Sequence, residues 1–470
     1  MRFQKKKKKI KYFISVFLWR VKSFSLSFLT MASSHFPRLH LSERNDVSDS
    51  YDRLSELPDS LLLLILSFLF STRFAVRTTI LSKRWKDLWT TVPCLHFDDE
   101  NPEFIYGVIA QWRGAKIQRF YLSLSDEVPL PPTSSDIESW LLFAAEKQVE
   151  ELHVYLGFDM PSCCPPQSLF SCSSITTLHL EDCSFKIEGS VQLNQLVTLS
   201  VFYILDSSWV EAINKILSGT PRLENMSLTA VATDGNFNIL SSSLKTLIIE
   251  DAKIKGVLTI WAPNLLTLEI RKSFSNGASI WCHVPSLTEA CFVDHNNRVG
   301  DWPLEPCYQL LRSICHVKKV TLSSLLHIKM LLSLKKKKDM VVRFPNAEVL
   351  KYESWNYIDP LDLLDLLELF PKLMMLSFHQ TRMQDSNPIA ETTFPSCLLL
   401  HLKRVDMTWP ARDPSIIPFI EILLQNSPSL EKMVFRLIKC RCNREMLLIK
   451  EKVPSMPRSS PTAEVIIIYC

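Results

Sequence analysis

From about residue 115 to residue 390 the chain repeats the short pattern Leu-x-x-Leu-x-Leu, which limits its possible folds more than any other feature. The fullest copy is Ile175-Thr176-Thr177-Leu178-His179-Leu180-Glu181-Asp182-Cys183. Looser copies are Leu196-x-x-Leu199-x-Val201, Leu223-x-x-Met226-x-Leu228, Leu244-x-x-Leu247-x-Ile249, Leu265-x-x-Leu268-x-Ile270, Val317-x-x-Val320-x-Leu322, Ala347-x-x-Leu350-x-Tyr352 and Leu373-x-x-Leu376-x-Phe378. From Leu178 to Leu268 the middle positions step by 21, 27, 21 and 21 residues. Alternate side chains of a strand point to opposite faces, so each copy reads as one short strand with a buried and an outward side. A single unit cannot bury its apolar face, but stacked neighbours can, and the regular period therefore predicts a solenoid with one continuous core. Weaker units at Phe120 and Leu152 begin the array.

Pro-x-Leu precedes several copies, as in Pro221-Arg222-Leu223, Pro263-Asn264-Leu265, Pro285-Ser286-Leu287 and Pro371-Lys372-Leu373. A proline just before a strand ends the preceding connection without removing a ladder donor. Helical returns are expected over 208–218 and 360–370. In the second, Leu361, Leu364, Leu367 and Phe370 fall at turn spacing with Asp362, Asp365 and Glu368 opposite. Strands of this signature and period are those of leucine-rich repeats, which recur every 20 to about 29 residues, and they make the fold α/β. The outward strand positions His179, Glu181, Phe202, Thr229, Ile248, Glu250, Glu269 and Arg271 are the candidate contacts to a bound protein.

Composition removes several enzyme classes. Only 9 of 470 residues are glycine, and none lie close enough for a phosphate-cradling loop or for the Gly-x-Ser-x-Gly turn of hydrolases. The same scarcity suits stacked strands in which few positions call for positive φ. The 13 cysteines are scattered, with no Cys-x-x-Cys and no zinc-finger spacing, which points to reduced thiols in the nucleus or cytoplasm rather than a secreted disulfide scaffold. No metal or cofactor is expected, and no His-Glu-x-x-His or paired carboxylates mark an active site. The net charge of +4 comes largely from Lys5–Lys9 and Lys335–Lys338, which read as solvated runs, so no nucleic-acid partner is expected. The apolar stretch Tyr12–Trp19 is far shorter than the roughly 20 residues that span a bilayer. Residues 1–50 are expected to be a disordered or non-native extension, with Met31 an alternative start.

Residues 51–98 read as three short helices. Leu57-Pro58-Asp59 opens the first, since proline is tolerated in a first turn and an acid suits the positive end of the helix dipole. The run Leu61, Leu62, Leu63, Leu64, Ile65, Leu66, Phe68 and Leu69 leaves almost no polar face. Ser71-Thr72 can cap a second helix over 73–79. In the third, Leu81, Trp85, Leu88 and Trp89 recur at i, i+4, i+7 and i+8. So small a core cannot cover this much apolar surface, and the excess calls for a partner.

Asp52-Arg53-Leu54-Ser55-Glu56-Leu57-Pro58-Asp59, Ile65-Leu66-Ser67-Phe68-Leu69 and Leu81-Ser82-Lys83-Arg84-Trp85-Lys86-Asp87-Leu88-Trp89, completed by Val92–Asp98, together resemble the plant-type F-box. Phe70 departs from it, standing where the family often has proline. The resemblance implies docking on the small Skp-type adaptor of an SCF ubiquitin ligase, and through it on a cullin scaffold. The adaptor contacts it implies are Leu57, Pro58, Leu61, Ile65, Leu66, Leu69, Val76, Leu81, Trp85, Leu88 and Trp89. Residues 394–470 resemble the FBD domain that follows many plant F-box and repeat proteins. The resemblance rests on 394–398, Leu402-Lys403-Arg404-Val405, the run from Phe419 to Met433, and Arg458–Val465. The expected architecture is a three-helix F-box module, a leucine-rich-repeat solenoid and a C-terminal α/β FBD cap. The expected function is non-catalytic: a receptor that holds a protein for ubiquitination, with an interaction scaffold outside any ligase as the alternative.

Overall fold

The computed structural model describes residues 57–469, except positions 127, 129, 159, 162, 185 and 324 and the segments 204–208, 272–278, 294–303, 337–340, 355–359, 381–398, 411–415 and 439–443. The expected extension 1–50, residues 52–56 of the F-box-like pattern and residues 394–398 of the FBD-like pattern lie outside the described residues. The chain divides into two compact units, Met1–Pro161 and Ser162–Cys470.

In the first unit the expected three helices form α1 (Asp59–Ser67), α2 (Thr72–Arg77) and α3 (Lys83–Leu88), joined and followed by the 3-10 turns Thr78–Ile80 and Trp89–Thr91. Pro58 stands at the N-cap of α1, its carbonyl accepting from the N–H groups of Leu61 and Leu62 at 3.0 and 3.1 Å. Ser71 caps α2 by accepting from the Arg73 N–H at 3.1 Å. Leu62, Leu66, Leu69, Ala75, Leu81, Trp85, Leu88 and Trp89 are buried and close a small core. Arg84 of α3 holds the start of α1, donating to Asp59 and to the Leu57 carbonyl.

The chain then alternates strands and helices: β1 (Cys94–Asp98), α4 (Pro102–Gln111), β2 (Arg119–Leu124), α5 (Ser134–Glu146) and β3 (Glu151–Leu156). The end of the F-box-like pattern is thus the first strand of a parallel sheet, in the order β1-β2-β3 with Leu95, Phe120 and Leu152 in register. Both helices are well capped. Asn101 accepts from the Phe104 N–H at 2.9 Å, and Thr133 and Asp136 form a reciprocal capping box that satisfies two otherwise orphaned donors. Leu95, Phe97, Phe120, Leu122, Leu152 and Val154 point inward with Ile105, Val108, Ile137, Trp140 and Leu141 of the helices. The free edge of β1 is occupied by α2. The His96 N–H donates to Thr72 Oγ1 at 2.7 Å, and Arg73 Nε donates to both carboxylate oxygens of the almost fully buried Glu100, at 2.7 and 2.8 Å.

The second unit runs β4 (Thr177–Glu181), β5 (Thr198–Phe202), α6 (Trp209–Ser218), β6 (Asn225–Thr229), β7 (Ala232–Thr233), β8 (Phe237–Leu240), β9 (Thr246–Glu250), β10 (Lys253–Ile254), β11 (Val257–Trp261), β12 (Thr267–Arg271), β13 (Ser279–His283) and β14 (Glu289–Val293). It continues with α7 (Leu304–Ile314), β15 (Lys319–Leu322), α8 (Leu325–Lys336), β16 (Val349–Ser354), α9 (Pro360–Leu367), β17 (Met375–Gln380), β18 (Arg404–Pro410), α10 (Ile416–Asn426), β19 (Lys432–Ile438), α11 (Arg444–Ser455) and β20 (Glu464–Tyr469). All seven looser repeat copies and the full one are strands. Together with β14, β18, β19 and β20 they lie parallel in the order β4-β5-β6-β9-β12-β14-β15-β16-β17-β18-β19-β20. Their middle residues align one repeat to the next: Leu178 with Leu199, Met226, Leu247, Leu268, Ala290, Val320, Leu350 and Leu376.

Two returns are the expected helices, α6 and α9. Between 237 and 283 the return is instead a second parallel sheet, β8-β11-β13, because Phe237, Ile239, Leu258, Ile260 and Ile280 fall at alternate strand positions and bury a second apolar face. The described part of the FBD-like segment prolongs the main sheet by β18, β19 and β20, so that Val405, Met433 and Val465 continue the inward row begun at Leu178.

The Pro-x-Leu segments are β-turns. The N–H groups of Leu223, Leu265, Leu287, Leu373 and Leu430 donate three residues back, to Thr220, Ala262, Val284, Phe370 and Ser427, with proline at the second turn position where its fixed φ belongs. Among the described residues few positions hold positive φ, as expected, but those that do are not glycines. Asp99, Asp182, Tyr203, Ala230 and Asp251, each directly after a strand, have φ between 48° and 52°. There the chain turns while its N–H still reaches the next strand, as from Ala230 to the Glu250 carbonyl at 2.8 Å. No described glycine holds such a conformation. Glycine serves close approach instead, for a Cβ on Gly219 would stand 2.2 Å from the Val191 carbonyl oxygen.

Candidate functional site

The helical module separates its apolar residues into two groups. Leu66, Leu69, Leu81, Trp85, Leu88 and Trp89, all named as adaptor contacts, are buried within the module; Ile65, Val76 and Leu57 are half-buried, and Pro58 is exposed. Buried side chains shape such a surface without touching a partner. The exposed apolar groups are Leu61 at 38%, Leu64 at 50%, Phe68 at 55% and Phe70 at 60%. Leu61, Leu64 and Phe68 recur at i, i+3 and i+7 and form one ridge along α1, the spacing with which a helix presents anchors to a groove. Leu64, Phe68 and Phe70 are not among the contacts inferred from sequence. An unbroken apolar run does not show which side the module's own core will take.

The eight outward candidates of the second unit fall in two adjacent rows on one face of the sheet. One row is His179, Ser200, Ser227, Ile248 and Glu269; the next is Glu181, Phe202, Thr229, Glu250 and Arg271. All eight candidates are half-buried. The charged ones largely engage one another. Arg271 donates through Nε to Glu269 at 2.7 Å and through Nη1 to Glu250 at 3.1 Å. Burial, opposed by these two carboxylates, acts on the guanidinium, whose pKa stays raised. At the other end, His179 meets the Phe202 ring edge-on at 5.2 Å. Desolvation, aided by the neighbouring Asp182, pushes the Glu181 carboxyl above its ordinary range. The stretch from His179 to Thr229 is thus mainly aromatic and hydroxyl-bearing, and the Glu250–Arg271 end is a neutralised ion network.

The outward face of β1–β3 carries a group that strand reasoning did not single out. His96, Tyr121 and His153 lie in one row and Asp98, Ser123 and Tyr155 in the next. The ring of Tyr121 lies 4.1 Å from His96, 5.2 Å from Tyr155 and 6.1 Å from His153. The signal was present in the alternation of apolar inward and aromatic outward residues along Phe120–Leu124 and Leu152–Leu156. Burial lowers the pKa of both histidines, against the raising influence of Asp98 on His96 and of Glu151 on His153. Arg119, in the preceding row, is paired with Glu151 at 2.6 Å.

Among the described residues no group of three or more His, Cys, Asp or Glu side chains could hold a metal ion, and no helix is long and apolar enough to cross a membrane. Residues 137–294 match the family model described as "FBD-associated F-box protein At5g56370, LRR repeats". The chain is 31% identical over 344 residues to an Arabidopsis thaliana protein carrying an F-box name, At1g49610, an alignment covering 70% of this chain and 85% of that one. It is 27% identical to the Arabidopsis F-box/LRR-repeat protein At3g03360 over 89% of this chain and 92% of that one. With the Arabidopsis F-box/FBD/LRR-repeat protein At1g51370 it shares 26% identity over 90% of this chain and 97% of the relative.

Proposed function

Since the chain belongs to the plant F-box proteins that carry leucine-rich repeats and an FBD segment, we propose that it is the substrate-recognition subunit of an SCF-type E3 ubiquitin ligase. The helical module docks on a Skp-type adaptor and through it on a cullin, and the outward rows of the repeat sheet hold a protein target. The chain contributes no catalytic group. Its part in ubiquitin transfer is proximity, since holding a target close turns a bimolecular encounter into an effectively intramolecular one.

The observation that carries this reading is the ridge Leu61, Leu64 and Phe68, exposed on a helix whose other face is already packed. An apolar ridge left bare by a completed core is suited to a partner's groove, and covering what remains exposed of these half-exposed side chains is worth about 1 kcal/mol each, roughly half the value for full burial. The FBD segment, by extending the parallel sheet to β20, closes the repeat array as a terminal cap. On this reading His179, Phe202 and Thr229 supply target contacts, with the Glu250–Arg271 network as a polar border.

Co-purification of the full chain with a plant Skp-type adaptor tests it. The wild-type chain is expected to retain the adaptor, and the double variant Leu64→Asp, Phe68→Asp to lose it while keeping its thermal unfolding midpoint. Trp85→Ala should instead melt the module, since removing a fully buried tryptophan costs about 3 to 5 kcal/mol. A folded wild-type chain that fails to retain any adaptor would leave the scaffold alternative standing and sink the ligase reading.

A further inference from the structure

We infer that the outward face of β1–β3 binds a basic segment of a polypeptide, seating an Arg or Lys side chain over the Tyr121 and Tyr155 rings within reach of the Asp98 carboxylate. The inference rests on the first unit alone, outside both the α1 ridge and the repeat rows of the second unit. It holds whether or not the chain joins a ligase.

Four rings share this face. Tyr121 is central, flanked by His96 at 4.1 Å and Tyr155 at 5.2 Å, and His153 stacks near Tyr155 with 13° between planes at 6.5 Å. The faces of such rings carry the negative lobe of the π quadrupole and attract cations placed within about 6 Å. The acids lie at one end. Asp98 is exposed and shares a row with Ser123 and Tyr155, two strand spacings or about 10 Å across. Asp99 follows it, its carboxylate accepting from the Ser125 N–H at 2.7 Å. Phe158, just beyond β3, is 73% exposed. The cation of the face, Arg119, is engaged by Glu151.

A bed of π surface bordered by carboxylates, with its own cation neutralised, is complementary to positive charge. Aromatic platforms also stack nucleic-acid bases, but those sites track the phosphate backbone with a positively charged groove. Asp98 and Asp99 stand where such a groove would need lysine or arginine. A guanidinium fits best, because its planar group stacks on a tyrosine while its edge donates to a carboxylate.

The two histidines make the binding depend on pH. His96 faces Asp98 on its own strand, Arg119 on β2 and His153 on β3; His153 faces Glu151 and Arg119; and Arg73 of the α2 helix beside β1 is committed to Glu100. Burial holds both imidazoles below the ordinary histidine range, so they are neutral at pH 7.5. Protonation at lower pH places positive charge in the bed and repels a cationic ligand.

The test is fluorescence anisotropy of the full chain with a labelled peptide of alternating Arg and Ser. A Glu-Ser peptide and a single-stranded oligonucleotide serve as comparisons. The Arg peptide is expected to bind at pH 7.5, and Asp98→Asn and Tyr121→Leu each to weaken it at least fivefold. The affinity is expected to fall as the pH is lowered through the range, below the ordinary histidine range, in which His96 and His153 take up protons, and this fall should be smaller in the double variant His96→Gln, His153→Gln. Asp98 is exposed, so Asp98→Asn decides the matter even if Tyr121→Leu unfolds. Absence of Arg-peptide binding, equal binding by wild type and Asp98→Asn, or tighter binding of the oligonucleotide than of the peptide would overturn the inference.

Discussion

At the scale of single residues, the least legible feature is the left-handed residue after a strand. Asp and Asn tolerate this region better than most, but Tyr203 and Ala230 hold φ of 52° without that advantage. The cost is about 1 kcal/mol for such a residue and is absent for glycine. Ala230→Gly is therefore expected to stabilise the second unit by roughly 0.5 kcal/mol, once the greater chain entropy of glycine is set against the relief of strain. Chemical denaturation of the two proteins checks this; a loss of stability would mean that the Ala230 methyl packs more than its φ costs. A low glycine count thus reports the absence of phosphate loops and says nothing about how often the backbone turns left-handed. The two properties part because Gly219 is required by the Val191 carbonyl pressing on it, whereas Ala230 is held left-handed by its bond to Glu250.

At the scale of elements, the repeat strands were readable because their code is binary: Leu178 and Leu180 inward, His179 and Glu181 outward, and so for each copy. Their register carried the eight outward candidates onto one face, a placement that the spacing alone implied. The helices α4 and α5 went unread, since Pro102–Gln111 and Ser134–Glu146 stand outside the repeat pattern and announce themselves chiefly through the caps Asn101 and Thr133. The exposed ridge of α1 was hidden for a different reason. In a helix with leucine on every side, the buried face is chosen by neighbours such as Trp85 and Trp89, distant in sequence. Beside the bond from the His96 N–H to Thr72, the join between α2 and β1 carries an ion pair with an almost fully buried carboxylate. Arg73→Ala leaves Glu100 without its cation and is expected to cost about 2 kcal/mol, a figure discounted because Arg73 itself is part exposed. Thermal unfolding should show the loss, and Glu100→Gln, which keeps a hydrogen-bond acceptor without leaving a buried charge, should lose less. Equal losses would show that the charge is immaterial.

At the scale of the whole molecule, the chain is two compact units, the second a parallel array in which each strand meets chiefly its neighbours in the row. Such an array stores its stability as a sum of local interfaces, so unfolding need not be one event. Denaturant titration followed by tryptophan fluorescence and by circular dichroism is expected to give non-coincident transitions, because among the described residues the buried tryptophans are unevenly placed: Trp85, Trp89, Trp112 and Trp140 in the first unit, Trp209 and Trp409 in the second. A single shared transition would show that the units unfold as one. The covering of β1 by Thr72 and Arg73 has a consequence of another kind. An uncovered parallel strand offers its backbone as a template for any strand that drifts near, including one from a second copy of itself. Chains shortened to begin at Val92 would carry that template bare and should gather into insoluble assemblies. The segment proposed to recruit a partner is on this account also the stopper that keeps the protein from pairing with itself.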